Sequence, residues 1–121
     1  MSIIRGRVSF SGEPTIPITL YLDGKPVRKK VVIDTGFNGS LSLPERLARK
    51  GKWHFFGFER YELATGDIVQ QKIYIGQIRL DKNPFTVYAV TSHSSDILIG
   101  TRLLRNRELL IQFKKRKVVL R

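Results

Sequence analysis

Cysteine is absent from this 121-residue chain, which excludes a disulfide framework, a thiolate zinc site and a thiol nucleophile. Histidine is nearly as scarce. With only His54 and His93, a metal centre would need several carboxylate ligands, and a Ser-His-Asp triad would depend on one of two isolated imidazoles. Neither a metal nor a cofactor is therefore expected. No apolar run approaches the roughly 20 residues that span a bilayer. The opening MSIIRGRVSF alternates polar with apolar residues where a secretion signal needs an unbroken apolar stretch. The expectation is a cytoplasmic protein without a membrane contact.

Acidic residues are also few, 10 Asp plus Glu against 22 Lys plus Arg, for a net charge of +12. Such an excess raises the question of an anionic partner, and Arg102, Arg105, Arg107, Lys114, Lys115, Arg116, Lys117 and Arg121 crowd the last twenty residues against the single acid Glu108. What is present otherwise is ordinary: 41% hydrophobic and 26% charged residues, with 10 Gly and 5 Pro, suit a folded domain rather than a disordered or fibrous chain. The length fits a single domain spanning 1–121.

Period-2 alternation dominates. Ile4, Gly6, Val8 and Phe10 alternate with Arg5, Arg7 and Ser9, then Ile16, Ile18, Leu20 and Leu22 with Pro17, Thr19 and Tyr21, which predicts two half-buried strands. Asp23-Gly24 suits a tight turn into a third strand running from Val27 to Ile33 and ending at Asp34. Leu41 and Leu43 form a short apolar run before Pro44, which suits a first helical turn, so a short helix is expected over Glu45 to Lys50 with Gly51 at its end. Trp53 to Leu63 and Ile68 to Leu80 form a long hairpin with the polar tip Ala64-Thr65-Gly66-Asp67. Phe85 to Val90 is another strand, and the wholly apolar Ile97-Leu98-Ile99 before Gly100 implies a central one. A helical turn over Thr101 to Asn106 and a hairpin of Leu109 to Phe113 with Val118 to Leu120 close the chain.

Val31-Val32-Ile33-Asp34-Thr35-Gly36 places a carboxylate, a hydroxyl and a flexible residue directly after an apolar strand. Alone, Asp-Thr-Gly reads equally well as a turn, with Asp34 bonding its own backbone and Gly36 supplying conformational freedom. A simple turn does not call for the segments DTGFNGSLSLP and ILIGTRLL some sixty residues apart. In that pair, and in the order of the elements around it, nearly the whole chain resembles the single-domain, retropepsin-like aspartic proteases of clan AA.

The resemblance implies an all-β fold: a closed, mostly antiparallel β-barrel of the acid-protease type with one or two short helices, paired into a homodimer. It implies an aspartic endopeptidase acting on a peptide or protein substrate. Each chain would contribute Asp34 to a catalytic pair, because one carboxylate cannot both take a proton from water and polarise the scissile carbonyl. Thr35 would brace the pair across the two-fold axis, and Gly36 would let the substrate backbone approach. Asn38 and Gly39 would line the cleft, and Ala64, Thr65 and Gly66 would form a flap over the bound peptide. Ile99 and Gly100 would pack beneath the catalytic loop. One departure stands out: Arg102 occupies a position where family members usually carry Asp or Asn, and it would either reach a carboxylate of the partner chain or face solvent.

The remaining candidates are weaker. His54, among Trp53, Phe55 and Phe56, reads as a core or surface imidazole, and Ser92-His93-Ser94-Ser95-Asp96 as a loop, since five consecutive residues rarely converge on one atom. Phe55, Phe56, Phe58 and Tyr61 with Lys52 and Arg60 offer stacking and charge to single-stranded bases. The alternative function is accordingly a non-catalytic basic β-barrel that binds nucleic acid or an acidic protein partner.

Overall fold

Alternating apolar residues bury one face of a strand and leave the other to polar side chains, a pattern followed by several of the ten strands among the described residues, while the strand His54–Glu62 is exposed along nearly its whole length. A computed structural model describes residues 2–121. The strands are β1 (Ile4–Val8), β2 (Pro14–Leu22), β3 (Lys25–Ile33), β4 (Leu41–Pro44), β5 (His54–Glu62), β6 (Ile68–Arg79), β7 (Phe85–Ser92), β8 (Leu98–Ile99), β9 (Leu109–Gln112) and β10 (Lys117–Leu120). One α-helix, α1 (Glu45–Lys50), and a 3-10 turn over Thr101–Leu104 complete the elements.

All ten strands join one sheet in the order β5-β6-β7-β4-β8-β3-β2-β1-β10-β9. A further pairing, Thr19 with Arg79 and Leu20 with Ile78, brings β2 against β6 and turns part of the sheet into a ring. The expected closed barrel is thus realised as a partial ring, with β5 projecting at one side and β1, β10 and β9 at the other. Most pairings are antiparallel; β3–β8 and β4–β7 are parallel.

The ring encloses Ile16, Ile18, Leu20, Val31, Leu41, Leu43, Ile78 and Ile99, all essentially without solvent exposure. These are the apolar halves of the alternating runs, so strand pattern and core are one observation. Trp53 lies just outside α1, with its indole N–H donating to Tyr21 O at 2.7 Å. Along the long hairpin, Lys72 of β6, paired with Phe58, donates to Glu45 of α1 at 2.6 Å, and Tyr74 donates to the same carboxylate at 3.3 Å. The Lys72 bond holds the Glu45 carboxyl below the usual carboxylate range, against the opposing effect of desolvation.

Three local expectations differ from the structure. Phe10 does not extend β1: the strand stops at Val8, and Phe10 stands 97% exposed in the turn where Ser9 N donates to Glu13 O. The Leu41–Pro44 run, which leads straight into α1 as expected, is itself a strand, because its parallel pairing with β7 and antiparallel pairing with β8 satisfy its backbone on both sides. The helical turn predicted to reach Asn106 ends at Leu104.

Candidate functional site

β8 lies between β3 and β4, so the connection from β3 to β4, residues 34–40, must cross the end of β8. Backbone bonds fix that crossing. Asp34 N donates to Ile99 O at 3.0 Å, Gly100 N to Ser40 O at 3.0 Å, Thr101 N to Phe37 O at 2.9 Å and Arg102 N to Gly39 O at 3.2 Å. Segments sixty residues apart in sequence therefore share a single hydrogen-bonded unit.

Gly100 makes the approach possible. A Cβ at this position would meet the Phe37 carbonyl oxygen at 2.6 Å and Phe37 Cδ2 at 2.7 Å, with the Gly39 oxygen closer still. At Gly39 a Cβ would meet the far end of the Phe37 ring at 2.6 Å, a side chain that can give way. At Gly100 only hydrogen fits between the two backbones.

Within the loop, Gly36 N donates to Asp34 Oδ1 at 2.9 Å and Phe37 N to Asp34 O at 3.1 Å. The first bond aims one carboxylate oxygen and leaves the other open. Asp34 is half-buried and takes no part in the ion pairs among the described residues. Thr35, Gly36 and Asn38 are exposed, Gly39 is half-buried, and Ile99 and Gly100 are buried against the loop. Asp34, Thr35, Gly36, Asn38, Gly39, Ile99 and Gly100 are thus neighbours in one place.

The hairpin tip is separate. Leu63 N donates to Asp67 O and Gly66 N to Leu63 O, with Gly66 at φ +91°, so Ala64, Thr65 and Gly66 form an exposed turn. Among the described residues no hydrogen bond joins this turn to the Asp34 loop. The body of the hairpin does reach the loop's neighbourhood: Phe58 and Ile73 from β5 and β6 share a hollow of about 450 Å³ with Phe37, Leu41, Tyr88 and Arg102. Arg102 is exposed and lies outside the ion pairs of the described residues, so within one chain it has the solvent-facing arrangement.

The hollow's apolar lining was not singled out from the sequence. Tyr88 and Ile73 come together only through the β6–β7 register, which pairs Ile73 with Val90 and Ile75 with Tyr88. The strands' aromatic content was the signal available, and it could not say which rings face the loop. Among the described residues no cluster of three or more His, Cys, Asp or Glu side chains could hold a metal ion, and no helix is long and apolar enough to cross a membrane. His54 and His93 are both exposed.

No family model and no curated protein sequence matches the chain. Among solved structures, a retropepsin-like aspartic protease from Rickettsia conorii matches 98% of this chain and 89% of its own, with a TM-score of 0.67 at 18% sequence identity. The mostly β chain accordingly has a fold similar to that of a retropepsin-like aspartic protease.

Proposed function

We propose that the chain is an aspartic endopeptidase, active as a homodimer in which two Asp34 carboxylates face each other across a two-fold axis. The observation that carries this reading is the fixed Asp34 loop: a carboxylate directly after the buried Val31 and Ile33 at the end of β3, aimed by the Gly36 amide and locked from behind by Gly100, Thr101 and Arg102. A turn without chemistry has no need of such reinforcement.

In the proposed reaction one carboxylate of the pair is ionised and the other protonated, since two such groups about 3 Å apart share a proton. The ionised carboxylate takes a proton from water as the oxygen attacks the peptide carbonyl carbon, while the protonated one hydrogen-bonds the carbonyl oxygen. Collapse of the tetrahedral adduct transfers a proton to the departing nitrogen, breaks the C–N bond and restores the shared proton. Exposed Thr35 would brace the pair from chain to chain, Asn38 and Gly39 would contact the substrate, and the tips at Ala64, Thr65 and Gly66 would close over a peptide bound as an added strand.

Asp34→Asn tests the assignment, because it keeps shape and removes the ionisable group. Cleavage of a denatured protein substrate should fall at least 10³-fold with circular dichroism unchanged, and residual hydrolysis within tenfold of wild type would overturn it.

A further inference from the structure

Residues directly opposite each other in a ladder share a face of the sheet, so the registers of β1, β2, β3, β6 and β10 can be read together. Arg7 lies opposite Lys117 of β10 and Thr15 of β2. Pro17 and Thr19 follow on the same face of β2 and lie opposite Lys30 and Arg28 of β3, while Thr19 also lies opposite Arg79 of β6. Arg5 takes the next outward position on β1. The outer face of these strands therefore carries Arg5, Arg7, Arg28, Lys30, Arg79 and Lys117. At the paired positions it carries no acidic residue, and none of the six joins the four ion pairs of the described residues.

The face is not flat. β1 and β2 are paired at only two positions, Arg7 with Thr15 and Val8 with Pro14, and then part where Pro17 has no N–H to offer. A hollow of about 420 Å³ opens between Arg5, Arg7, Lys30 and Arg116, and another of about 440 Å³ between Arg5, Arg28, Arg79 and Lys82. The one acid lining either hollow among the described residues is Asp81, which is ion-paired with Arg107 at 3.6 Å. At the rim of the first hollow stands Phe10, 97% exposed, with the Arg116 guanidinium 4.2 Å from its ring centroid on one side. Arg116 is held there by donating from Nε to Val8 O at 3.0 Å. Neither hollow is lined by a residue of the Asp34 loop or of the β5–β6 tip.

We propose that this outer face binds single-stranded nucleic acid, with the arginines and lysines tracking the phosphates and Phe10 stacking a base. Charge complementarity selects a polyanion. The preponderance of guanidinium groups favours phosphodiesters, whose oxygens accept paired N–H bonds. A nucleic-acid strand is favoured over an anionic membrane because Phe10, with the Arg116 guanidinium on one side of its ring and 97% exposed, offers the flat face that a base stacks on beside charges for its phosphates. This surface is separate from the Asp34 loop, so the proposal stands whether or not the chain cleaves peptides.

The test is fluorescence anisotropy with a labelled 20-nucleotide single strand, using the full chain and running vesicles of phosphatidylcholine with phosphatidylserine in parallel. Six neutralised phosphates predict a log–log salt slope of about −4 for wild type. Arg5→Glu/Arg28→Glu/Lys30→Glu should weaken binding at least tenfold and reduce the slope by about 2. The charge-matched Lys25→Glu/Arg46→Glu/Lys50→Glu, at exposed positions elsewhere, should change affinity less than threefold. Should the first triple variant not fold, the corresponding Gln substitutions give the same ordering. Phe10→Ala should cost about tenfold through lost stacking. Equal losses in the two triple variants would overturn the proposal, as would no binding at low salt, an unaffected Phe10→Ala, or vesicle binding without oligonucleotide binding.

Discussion

Replacing Gly100 with alanine adds one methyl group at the point where the Asp34 loop rests on the chain after β8. The new carbon would lie 2.6 Å from the Phe37 oxygen and 2.7 Å from Phe37 Cδ2, and closer to the Gly39 oxygen, so the loop must retreat by about 1 Å before the contacts become tolerable. Two of the three obstacles are backbone atoms, which cannot swing aside as a side-chain end can. The same retreat stretches the bonds from Gly100 N to Ser40 O, Thr101 N to Phe37 O and Arg102 N to Gly39 O. Overpacking costs about 1–3 kcal/mol, and a weakened hydrogen bond up to about 1 kcal/mol, so a total of roughly 1–4 kcal/mol is expected. For a chain of this length that corresponds to a midpoint lowered by about 4–15 °C. Peptide cleavage should fall further than stability explains, since a misplacement of about 1 Å in a reacting group costs on the order of 100-fold. Gly57→Ala is the control, because a Cβ there meets nothing within 4 Å. Urea unfolding followed by Trp53 emission, with all variants at one protein concentration, measures the difference. A Gly100→Ala protein within 0.5 kcal/mol of both wild type and Gly57→Ala would refute the claim that backbone contact pins the loop.

If the catalytic pair is shared between chains, co-refolding equal amounts of wild type and Asp34→Asn should leave about one quarter of full activity per total chain. About one half, with random exchange verified by native mass spectrometry, would mean that each chain acts alone. Gly76→Ala would drive a methyl into the indole of Trp53, the only tryptophan, so its emission should shift to the red and stability should fall by about 1–3 kcal/mol. An unchanged spectrum and melt would show the ring to be free to move. Lys72→Met should raise the Glu45 pKa, because the Lys72 hydrogen bond is the main influence holding that carboxyl low. Glu45 is depressed in the folded state, so its tie to β6 is complete above the unfolded carboxylate pKa and is lost as pH falls through the lower folded value. NMR titration of the Glu45 carboxyl reads the shift, and identical midpoints in variant and wild type would contradict it.

Strands such as β2 were legible because they bury their own alternating residues: Ile16, Ile18 and Leu20 announce one face of β2 without reference to any other strand. The Asp34 loop was legible for a different reason, since DTGFNGSLSLP and ILIGTRLL marked the two distant segments that backbone hydrogen bonds join. Legibility stopped where pairing between distant strands decides the outcome. Leu41 to Pro44 is too short to declare itself a strand, and becomes one only between β7 and β8. The ring depends on two pairs between β2 and β6, and a one-residue slip there would place different side chains together. The basic excess was legible as a count and as a C-terminal cluster, whereas the face shared by Arg5, Arg28 and Arg79 arises only through register. Phe10 fitted the alternation of β1 and left it, because the turn bonds between Ser9 and Glu13 compete successfully for the backbone.

The placement of β8 between β3 and β4 also fixes when the loop can form. Val32 pairs with Leu98 and Ile33 with Ile99, so the backbone that braces Asp34 is contributed by the last quarter of the chain. Parallel pairs of such separation close late, after the cost of ordering the intervening residues has been met. During synthesis, Asp34 leaves the ribosome long before Gly100, Thr101 and Arg102 are available to anchor its loop. A chain that ends before Arg102 thus lacks the full set of backbone bonds that brace Asp34, and any activity that depends on that loop requires them.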